Sequence, residues 1–360
     1  MTTLTATSSA TAAQRRSAEL EQAIAADPAA YRILTGDRPT GPLHIGHYFG
    51  TLQNRVRLQQ AGVELLVLIA DYQALTDRAA TAQLPGAVLG IVADYLAAGI
   101  DAEHATIFAH SQVAALNQLL LPFLSLVSVA EIRRNPTVKE EMAAAGSAAM
   151  TGLMFAYPVH QAADILACRA NLVPVGRDQL PHLELSRVIA RRFNERYSPA
   201  APYFTEPEAL LSTAPLLRGL DGRKMGKSLG NAVPLRATAD QTAQLVARAV
   251  TDSLRRISFD PLRRPEVSSL LQIAALCRDE PPEIVAEGIG DGGAAALKAV
   301  VTDAINDRFS GIRARRAELA GEQGYLRDVL GAGNERVRAL ASATLRAVRR
   351  LMHTSYEAGV

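Results

Sequence analysis

The sequence predicts an α/β fold, a Rossmann-like doubly wound parallel sheet with a second, all-α C-terminal domain. Up to about residue 233, short apolar runs alternate with helical patterns, which is typical of a parallel sheet covered on both faces. Beyond that point the pattern is wholly helical, with segments rich in Arg and Glu near 238–250, 266–278, 293–319 and 334–352. Ligands of such sheets bind beyond the carboxyl ends of the strands, so we expect a binding site there.

Proline and glycine separate the predicted elements of the sheet domain. The first strand, 31–36, is followed by a turn rich in these residues, and a helix begins near Ile45. This strand–turn–helix unit is the natural place for a nucleotide, because the N-terminus of a helix favours phosphate. The next predicted elements are a strand at 63–70, a helix at 85–99, a strand at 105–109, a strand at 173–176 and a helix at 179–192.

Composition and cysteine spacing exclude several classes of protein. With 48% hydrophobic and 21% charged residues the chain is typical of globular proteins, and no apolar run is long enough to span a membrane. Cys168 and Cys277 stand alone, so we expect neither a structural metal nor a disulfide framework, and a reducing cytoplasm is favoured. The net charge of +2 is too small to identify a nucleic-acid-binding protein from composition.

Lysine is rare in this chain, which has 38 basic residues in total. The lysines are Lys139, Lys224, Lys227 and Lys298. Two of them lie close together in the glycine-flanked segment 221–230, where we expect the site to need a compact ammonium rather than a planar guanidinium. Chance placement in a solvated loop is the alternative interpretation of this segment alone.

Two histidines, His44 and His47, stand at the predicted start of the first helix with Gly46 between them. There the imidazoles lie beside backbone N–H groups and the positive end of the helix dipole, which suits phosphate. Gly46 leaves room for a nucleotide to lie against the backbone. A metal-binding pair would need a third ligand that is not nearby in the sequence, and a pair of core histidines is the other structural alternative.

These two motifs, in this order, resemble a known family. Segment 44–47 reads His-Ile-Gly-His and matches the HIGH motif of class I aminoacyl-tRNA synthetases letter for letter. Segment 224–228 reads Lys-Met-Gly-Lys-Ser and resembles their KMSKS loop with one substitution, Gly226. The resemblance covers roughly residues 31–352 and is, in detail, to bacterial tryptophanyl-tRNA synthetases. Further segments that carry it are 157–165 and 173–179, and, as in one bacterial branch of that family, 35–41 and 71–77.

The resemblance implies an enzyme that activates L-tryptophan with ATP, releases pyrophosphate and transfers tryptophan to tRNA(Trp). Attack of the amino-acid carboxylate on the α-phosphorus needs positioning and neutralisation of phosphate charge rather than a covalent nucleophile. ATP is expected to act as its Mg²⁺ complex. The implied catalytic residues are His44, His47, Lys224, Lys227, Ser228 and Lys139. The implied ATP-binding residues are Arg38, Pro39, Thr40, Gly46, His47, Gly176, Arg177, Asp178, Lys224, Met225, Gly226, Lys227 and Ser228.

For the amino acid, Tyr157, Gln161 and Asp164 are spaced to share one face of a helix. Asp164 can accept a hydrogen bond from an indole N–H, and a pocket built on that contact rejects phenylalanine. Without the surrounding motifs, an ordinary capping or salt-bridged carboxylate would be the favoured interpretation of Asp164. The tryptophan-binding residues implied by the resemblance are Leu34, Gly36, Gln73, Tyr157, Gln161, Asp164, Ile165, Val173, Val175 and Gln179.

Three alternatives to a tryptophan enzyme are open at this stage. Tyrosyl enzymes resemble the chain in the Tyr-xxx-Gln-xx-Asp spacing, but in them a tyrosine ends the first strand, where this chain has the aliphatic Leu34 that suits an indole face. A catalytically silent RNA-binding paralogue is disfavoured by the intact motif histidines and lysines. A metabolic nucleotidylyltransferase would not account for the all-helical C-terminal part.

Four segments are expected along the chain. Residues 1–29 are predicted to be an extension that is disordered or partly helical, although the composition of residues 1–17 also loosely resembles a transit peptide. Residues 30–233 form the expected catalytic domain, 234–335 a helical anticodon-binding domain, and 336–360 a C-terminal helix that returns to the catalytic domain. The resemblance implies a homodimer, while the lone cysteines and the lack of a long apolar run favour a cytoplasmic protein without membrane contact. Arginines that can meet tRNA, or simply face solvent, are Arg255, Arg256, Arg263, Arg264, Arg313, Arg315 and Arg316.

Overall fold

The computed structural model describes residues 2–77, 81–136, 138–139, 151–176, 179–212, 217–226 and 229–356. Within these ranges the strands are β1 (Arg32–Asp37), β2 (Glu64–Ile69), β3 (Ala105–Ala109), β4 (Leu172–Val175) and β5 (Glu208–Leu211). They form one parallel sheet in the order β3-β2-β1-β4-β5. The order changes direction between β1 and β4, and doubly wound sheets bind their ligands beside such a switch point.

Helices cover both faces of this sheet. Those of the sheet domain are α1 (Thr2–Ala26), α2 (Ile45–His47), α3 (Gln53–Gln60), α4 (Leu84–Ala97), α5 (Ala114–Leu124), α6 (Val129–Arg134), α7 (Gly152–Ala167) and α8 (Leu180–Tyr197). A π-helical turn, Tyr48–Leu52, joins α2 to α3. Short 3-10 turns follow β2 at Tyr72–Asp77 and β3 at His110–Gln112. The predicted α/β fold is confirmed.

The C-terminal part is helical, as predicted, with two differences in its boundaries. Its helices are α9 (Ala239–Ala247), α10 (Pro265–Arg278), α11 (Pro282–Ile289), α12 (Gly293–Gly321) and α13 (Gln323–Leu351). The sequence analysis did not predict α11, a short helix with Pro in its first turn, where Pro is well tolerated. It placed the start of α13 too late, because glycines weaken the helical pattern of its first half. None of the described helices has the length and apolar character that a membrane crossing requires.

Successive side chains of each strand alternate between two apolar clusters. Ile33 packs with Leu65 in a cluster completed by α3, α4, α10 and α12, whereas Leu34 packs with Leu66 in a cluster completed by α5, α7, α8 and α13. Since both faces are buried, the strands read as continuous apolar runs. This burial explains why the four strands β1 to β4 were predictable from sequence.

Helix α1 covers the outer edge of the sheet at β5. The Ser17 hydroxyl accepts a hydrogen bond from the Leu211 N–H at 2.8 Å, and Arg16 binds Glu208 through two hydrogen bonds of 2.6 Å. Edge strands otherwise expose unpaired backbone groups. Residues 1–29 were predicted to be disordered or partly helical, and the structure has a helix there, with Leu20 buried against the sheet.

Helix α13 covers the opposite edge, at β3. The Asn334 side-chain oxygen accepts a hydrogen bond from the Ala109 N–H at 3.0 Å. A Cβ atom on Gly333 would overlap the Ile107 carbonyl oxygen, so glycine is required for this close approach. The last helix of the chain therefore packs on the sheet domain.

Candidate active site

The two motif histidines are fixed at the turn between β1 and α2. His44 is buried at the N-cap of α2, and its backbone N–H donates to the Nδ1 atom of half-buried His47 at 3.2 Å. The centroids of the two rings are 3.8 Å apart. The π-helical turn that follows is a rare feature that is frequent at functional sites. The imidazoles are thus held side by side at the carboxyl end of the sheet.

A buried cluster fixes the end of β1 below this turn. Asp37 accepts hydrogen bonds from Arg55 at 2.7 Å and from the Tyr95 hydroxyl at 2.8 Å. Burial opposes the charge of Arg55, yet Asp37 keeps the pKa of its guanidinium above the usual value. Burial, assisted by Asp37, raises the pKa of Tyr95 well above its usual value. The sequence analysis did not identify Arg55 or Tyr95.

From this fixed point the chain passes through the predicted ATP-binding turn. Arg38 and Thr40 are exposed, and Pro39 is buried between them. The Leu43 N–H, just before the first motif histidine, donates to Asp94 of α4 at 3.1 Å. The backbone that leads into the histidines is therefore anchored by a buried carboxylate.

The KMSKS-like segment packs directly on the histidine turn. A Cβ atom on Gly46 would lie 2.7 Å from the Met225 sulfur, so the glycine of one motif makes room for the methionine of the other. The Ile45 N–H donates to the Val233 carbonyl at 3.0 Å, and the Leu235 N–H donates to the Leu43 carbonyl at 2.9 Å. Two motifs far apart in the sequence are thus neighbours.

Asn231 holds the start of the KMSKS-like loop in place. Its buried amide donates to Asp221 at 2.8 Å and to the Lys224 carbonyl at 3.0 Å, and it accepts from the Gly226 N–H at 3.1 Å. The Lys224 side chain is exposed at the site. The predicted residues Lys227 and Ser228 lie outside the described residues. Sequence analysis missed Asn231, although an Asn directly after a glycine loop is a signal for such local bonding.

The predicted apolar lining of the amino-acid site comes together in one buried cluster. Leu34 of β1, Val173 and Val175 of β4, and Ile165 of α7 belong to it. Gly36 follows in β1, where a Cβ atom would overlap a β2 carbonyl oxygen, so a side chain is excluded. These side chains from two strands and a helix create an apolar region at the switch point of the sheet.

On α7, the three predicted polar residues share one face, as their spacing implied. Tyr157 and Gln161 are half-buried, whereas Asp164 is 1% exposed. Gln73 is half-buried in the 3-10 turn after β2, and that turn packs against α7. Asp71, just before this turn, joins it to the next loop by accepting hydrogen bonds from Ser111 at 3.1 Å and 2.5 Å.

Asp164 is part of a buried cluster with two histidines. Its Oδ2 atom accepts a hydrogen bond from His110 Nε2 at 2.8 Å, while its buried Oδ1 atom has no partner in the described part of the chain. The His160 ring lies 4.7 Å from that of His110, and its Nε2 is 2.9 Å from the Asn117 side-chain oxygen. Burial opposes protonation of His110, but the Asp164 and Asp71 carboxylates raise its pKa above the usual value, whereas burial lowers the pKa of His160.

No sequence pattern indicated this cluster, because single histidines at a strand end and on a helix form no motif. The sequence analysis predicted no metal site. Among the described residues, ligand atoms of His110, His160 and Asp164 lie within 4.8 Å of one another, which is a geometry that can hold a metal ion. The Nε2 atom of each histidine already contacts a side-chain oxygen.

A second series of polar contacts connects Tyr157 to the segment that carries the predicted catalytic residue Lys139. His182 lies 3.2 Å from the Tyr157 hydroxyl and 3.3 Å from the Asn135 amide. The Lys139 N–H donates to the Asn135 carbonyl at 3.1 Å, and the Lys139 side chain is exposed. The helical segment that carries this lysine is therefore linked to Tyr157, one of the residues predicted to bind the amino acid.

The end of β4 completes the described site. Gly176 is exposed, and its carbonyl accepts a hydrogen bond from the N–H of half-buried Gln179 at 3.1 Å. The predicted ATP-binding residues Arg177 and Asp178 lie outside the described residues. The carboxyl ends of β1, β2, β3 and β4 thus face one region.

Comparison with known proteins gives consistent matches. The chain is 41% identical over 340 residues to the tryptophan–tRNA ligase of Lactococcus lactis subsp. lactis, covering 90% of this chain and 98% of that protein. It is 41% identical over 336 residues to the tryptophan–tRNA ligase of Streptococcus pyogenes serotype M1, with 90% and 98% covered. The crystal structure of tryptophanyl-tRNA synthetase from Campylobacter jejuni complexed with ADP and tryptophan aligns with a TM-score of 0.78 at 28% identity, covering 89% of this chain and 99% of that one.

The family assignment agrees with the geometry of the site. Residues 27–310 match the family described as tRNA synthetases class I (W and Y). This stretch includes the histidine turn, the KMSKS-like loop and the cluster around Asp164. The chain belongs to the class I tRNA synthetases of the tryptophan and tyrosine type.

Proposed function

We propose that this protein is an ATP-dependent ligase that converts L-tryptophan to tryptophanyl-adenylate and then transfers tryptophan to tRNA(Trp). The observation that carries the choice of amino acid is the buried Asp164 Oδ1 atom, an acceptor without a partner among the described residues. Its neighbours on α7, Ala163 and Ile165, belong to the apolar cluster that contains Leu34 and Val173. An indole offers a flat apolar surface with a single N–H donor, which matches this combination.

In the proposed activation step, the tryptophan carboxylate attacks the α-phosphorus of ATP and pyrophosphate leaves. His44 and His47 approach the phosphates and ribose from one side, while Lys224, with Lys227 and Ser228, neutralises the leaving group from the other. The contact of Met225 with Gly46 supports this placement, because it brings the two motifs to one site. ATP enters as its Mg²⁺ complex, and Lys139 is proposed as a further phosphate contact.

Tyrosine is the alternative substrate within this family. Leu34 is 4% exposed in the apolar cluster, so it offers no hydroxyl to a phenol at the end of the first strand. The relatives from Lactococcus lactis and Streptococcus pyogenes are both named tryptophan–tRNA ligases. These observations favour tryptophan.

For tRNA, we propose that residues 234–335 bind the anticodon and that the enzyme acts as a cytoplasmic homodimer without a membrane partner. Some of the expected arginines are engaged inside the protein. Buried Arg264 binds Asp252 through two hydrogen bonds of 2.7 Å, Arg316 binds Asp94 at 2.6 Å, and Arg313 bonds side chains of α9 and α12. Exposed arginines, which can meet phosphates, are Arg255, Arg256, Arg263 and Arg315.

Pyrophosphate exchange into ATP, measured with each of the twenty amino acids in turn, tests the proposed function. Tryptophan is expected to stimulate exchange far above tyrosine and phenylalanine. The same preparation should attach tryptophan to a tRNA(Trp) transcript. Equal or greater stimulation by tyrosine would contradict the proposal.

A further inference from the structure

Asp164 has an unusual environment for a carboxylate in a substrate pocket. It is 1% exposed, and in the described residues its ion-pair partner is His110, which is 0% exposed and lies at the end of β3. The Nε2–Oδ2 distance is 2.8 Å. A contact between side chains this deeply buried fixes the orientation of both, because neither can turn toward solvent.

The hydrogen bond from His110 makes the two carboxylate oxygens of Asp164 inequivalent. Oδ2 is occupied, and Oδ1 is buried without a partner in the described part of the chain. A buried acceptor that lacks a donor is unfavourable, so the site favours a ligand that brings one. Without His110, rotation of the carboxylate could present either oxygen.

The hydrogen bonds assign the orientation of Asp164 to His110 rather than to His160. Burial disfavours protonation of His110, but Asp164 and Asp71 raise its pKa above the usual value. Burial lowers the pKa of His160, whose Nε2 atom contacts the Asn117 side-chain oxygen rather than Asp164. His160 therefore serves as an internal comparison: it is a buried histidine of the same cluster that does not contact the carboxylate through a hydrogen bond.

We propose that His110 is a positioning residue for the selection of tryptophan. By donating to Asp164 Oδ2 it holds Oδ1 as the acceptor that is offered to the indole N–H. His110 does not contact the substrate itself. The inference rests on the proposed function, because it requires an indole ligand in the pocket beside α7.

Pyrophosphate exchange with two amino acids tests this proposal. Tryptophan is compared with β-(benzothiophen-3-yl)alanine, in which sulfur replaces the N–H group while the ring system keeps nearly the same shape. His110→Leu should lower kcat/KM for tryptophan about tenfold or more, chiefly through KM, because the acceptor is no longer oriented. The benzothiophene analogue should change by no more than about threefold, because it makes no such hydrogen bond.

Two further variants separate positioning from stability. His110→Gln keeps an N–H donor toward Asp164 and should preserve most of the preference for tryptophan over the analogue. His160→Leu removes the neighbouring buried histidine, so it should lower the melting temperature in the same way as His110→Leu while leaving the preference unchanged. The discriminating quantity is the ratio of kcat/KM values, which a loss of folded protein does not alter.

The outcomes are distinct. If His110→Leu lost kcat/KM equally for both substrates, so that their ratio stayed unchanged, the proposal would be overturned. The same holds if the ratio in His110→Gln fell as low as in His110→Leu. A fall of the wild-type ratio after dialysis against EDTA would also overturn it, because His110, His160 and Asp164 would then hold a metal ion. If wild-type enzyme preferred tyrosine to tryptophan, the proposed function itself would fail before any variant was compared.

Discussion

The proposed amino-acid side and the proposed nucleotide side of the site are built differently. Asp164 and His110 lie on a helix and at a strand end, and both are almost completely buried. On the nucleotide side, Lys224 is exposed on a loop, and Gly226 follows it without a side chain. That loop is held at its base by the Asn231 hydrogen bonds and by the packing of one motif on the other.

This difference corresponds to two physical requirements. Discrimination between aromatic amino acids needs polar groups that are fixed before the substrate arrives, which regular elements provide. Neutralisation of a leaving pyrophosphate needs charges that close over ATP and then open again, which loops provide. We therefore expect substitutions on the amino-acid side to alter the kinetics for tryptophan and to leave ATP binding nearly intact. Substitutions on the nucleotide side should do the reverse.

The largest expected effect on the nucleotide side follows removal of a motif histidine. His44→Ala or His47→Ala should lower kcat for pyrophosphate exchange about 10²- to 10³-fold, because the lost contacts act mainly in the transition state. His47→Asn is the matched control for the local fold, because its amide oxygen can still accept the hydrogen bond from the His44 N–H and preserve the turn. Steady-state exchange kinetics check this. A normal kcat with a raised KM for tryptophan would contradict the placement of the two histidines at the phosphates.

The next effect concerns the anchor beneath the histidine turn. Arg316 of α12 donates to Asp94 at 2.6 Å, and Asp94 accepts from the Leu43 N–H. Arg316→Met should lower the free energy of unfolding by about 3 kcal/mol, since it leaves a buried carboxylate without its partner, and it should raise the KM for ATP. Denaturant unfolding checks the first effect. Arg315→Met, at an exposed neighbour that pairs with Glu318, is the control and should change neither.

On the amino-acid side, Asp164→Asn should reduce selectivity for tryptophan over phenylalanine by about 1–3 kcal/mol. The physical reason is a mismatch: an amide has one acceptor oxygen, whereas both His110 and an indole N–H donate. Whichever way the amide turns, one donor meets an N–H group. The ratio of kcat/KM values for the two amino acids measures this effect. An unchanged ratio would place the indole acceptor elsewhere.

The smallest expected effect concerns Gly226 in the KMSKS-like loop. Its φ is not in the left-handed region, and a Cβ atom there would make ordinary contact with Leu229 at 3.5 Å, so serine fits without strain. Gly226→Ser should lower the KM for ATP about two- to fivefold, because a loop with less backbone freedom loses about 0.5–1 kcal/mol less entropy on closing.

Gly230 of the same loop provides a matched control for that experiment. It has a φ of 63°, and no described heavy atom lies within 4 Å of the point where its Cβ would stand, so Gly230→Ser is strained by its backbone alone. This variant should raise the KM for ATP, opposite to Gly226→Ser. If both substitutions raised the KM for ATP, the loop would need the backbone flexibility of glycine at each position, and the prediction for Gly226→Ser would be wrong.

Sequence patterns anticipated much of the fold and part of the site. Strands β1 to β4 were predictable because burial on both faces gives continuous apolar runs, whereas only the last three residues of β5 are apolar and buried. Gly46 was expected to make room for a nucleotide, but in the structure its contact is with Met225, which no local pattern encodes. His110 was not predicted for the same reason: its role depends on a helix residue that folding brings near.

Tryptophan binding measured by fluorescence tests the division between the two sides most directly. The protein contains no tryptophan, so the emission of the ligand can be followed without background from indoles of the chain. We predict that His47→Ala binds tryptophan within about threefold of the wild-type Kd, whereas Asp164→Asn binds it about tenfold or more weakly. Loss of tryptophan binding in His47→Ala together with unchanged binding in Asp164→Asn would contradict the account.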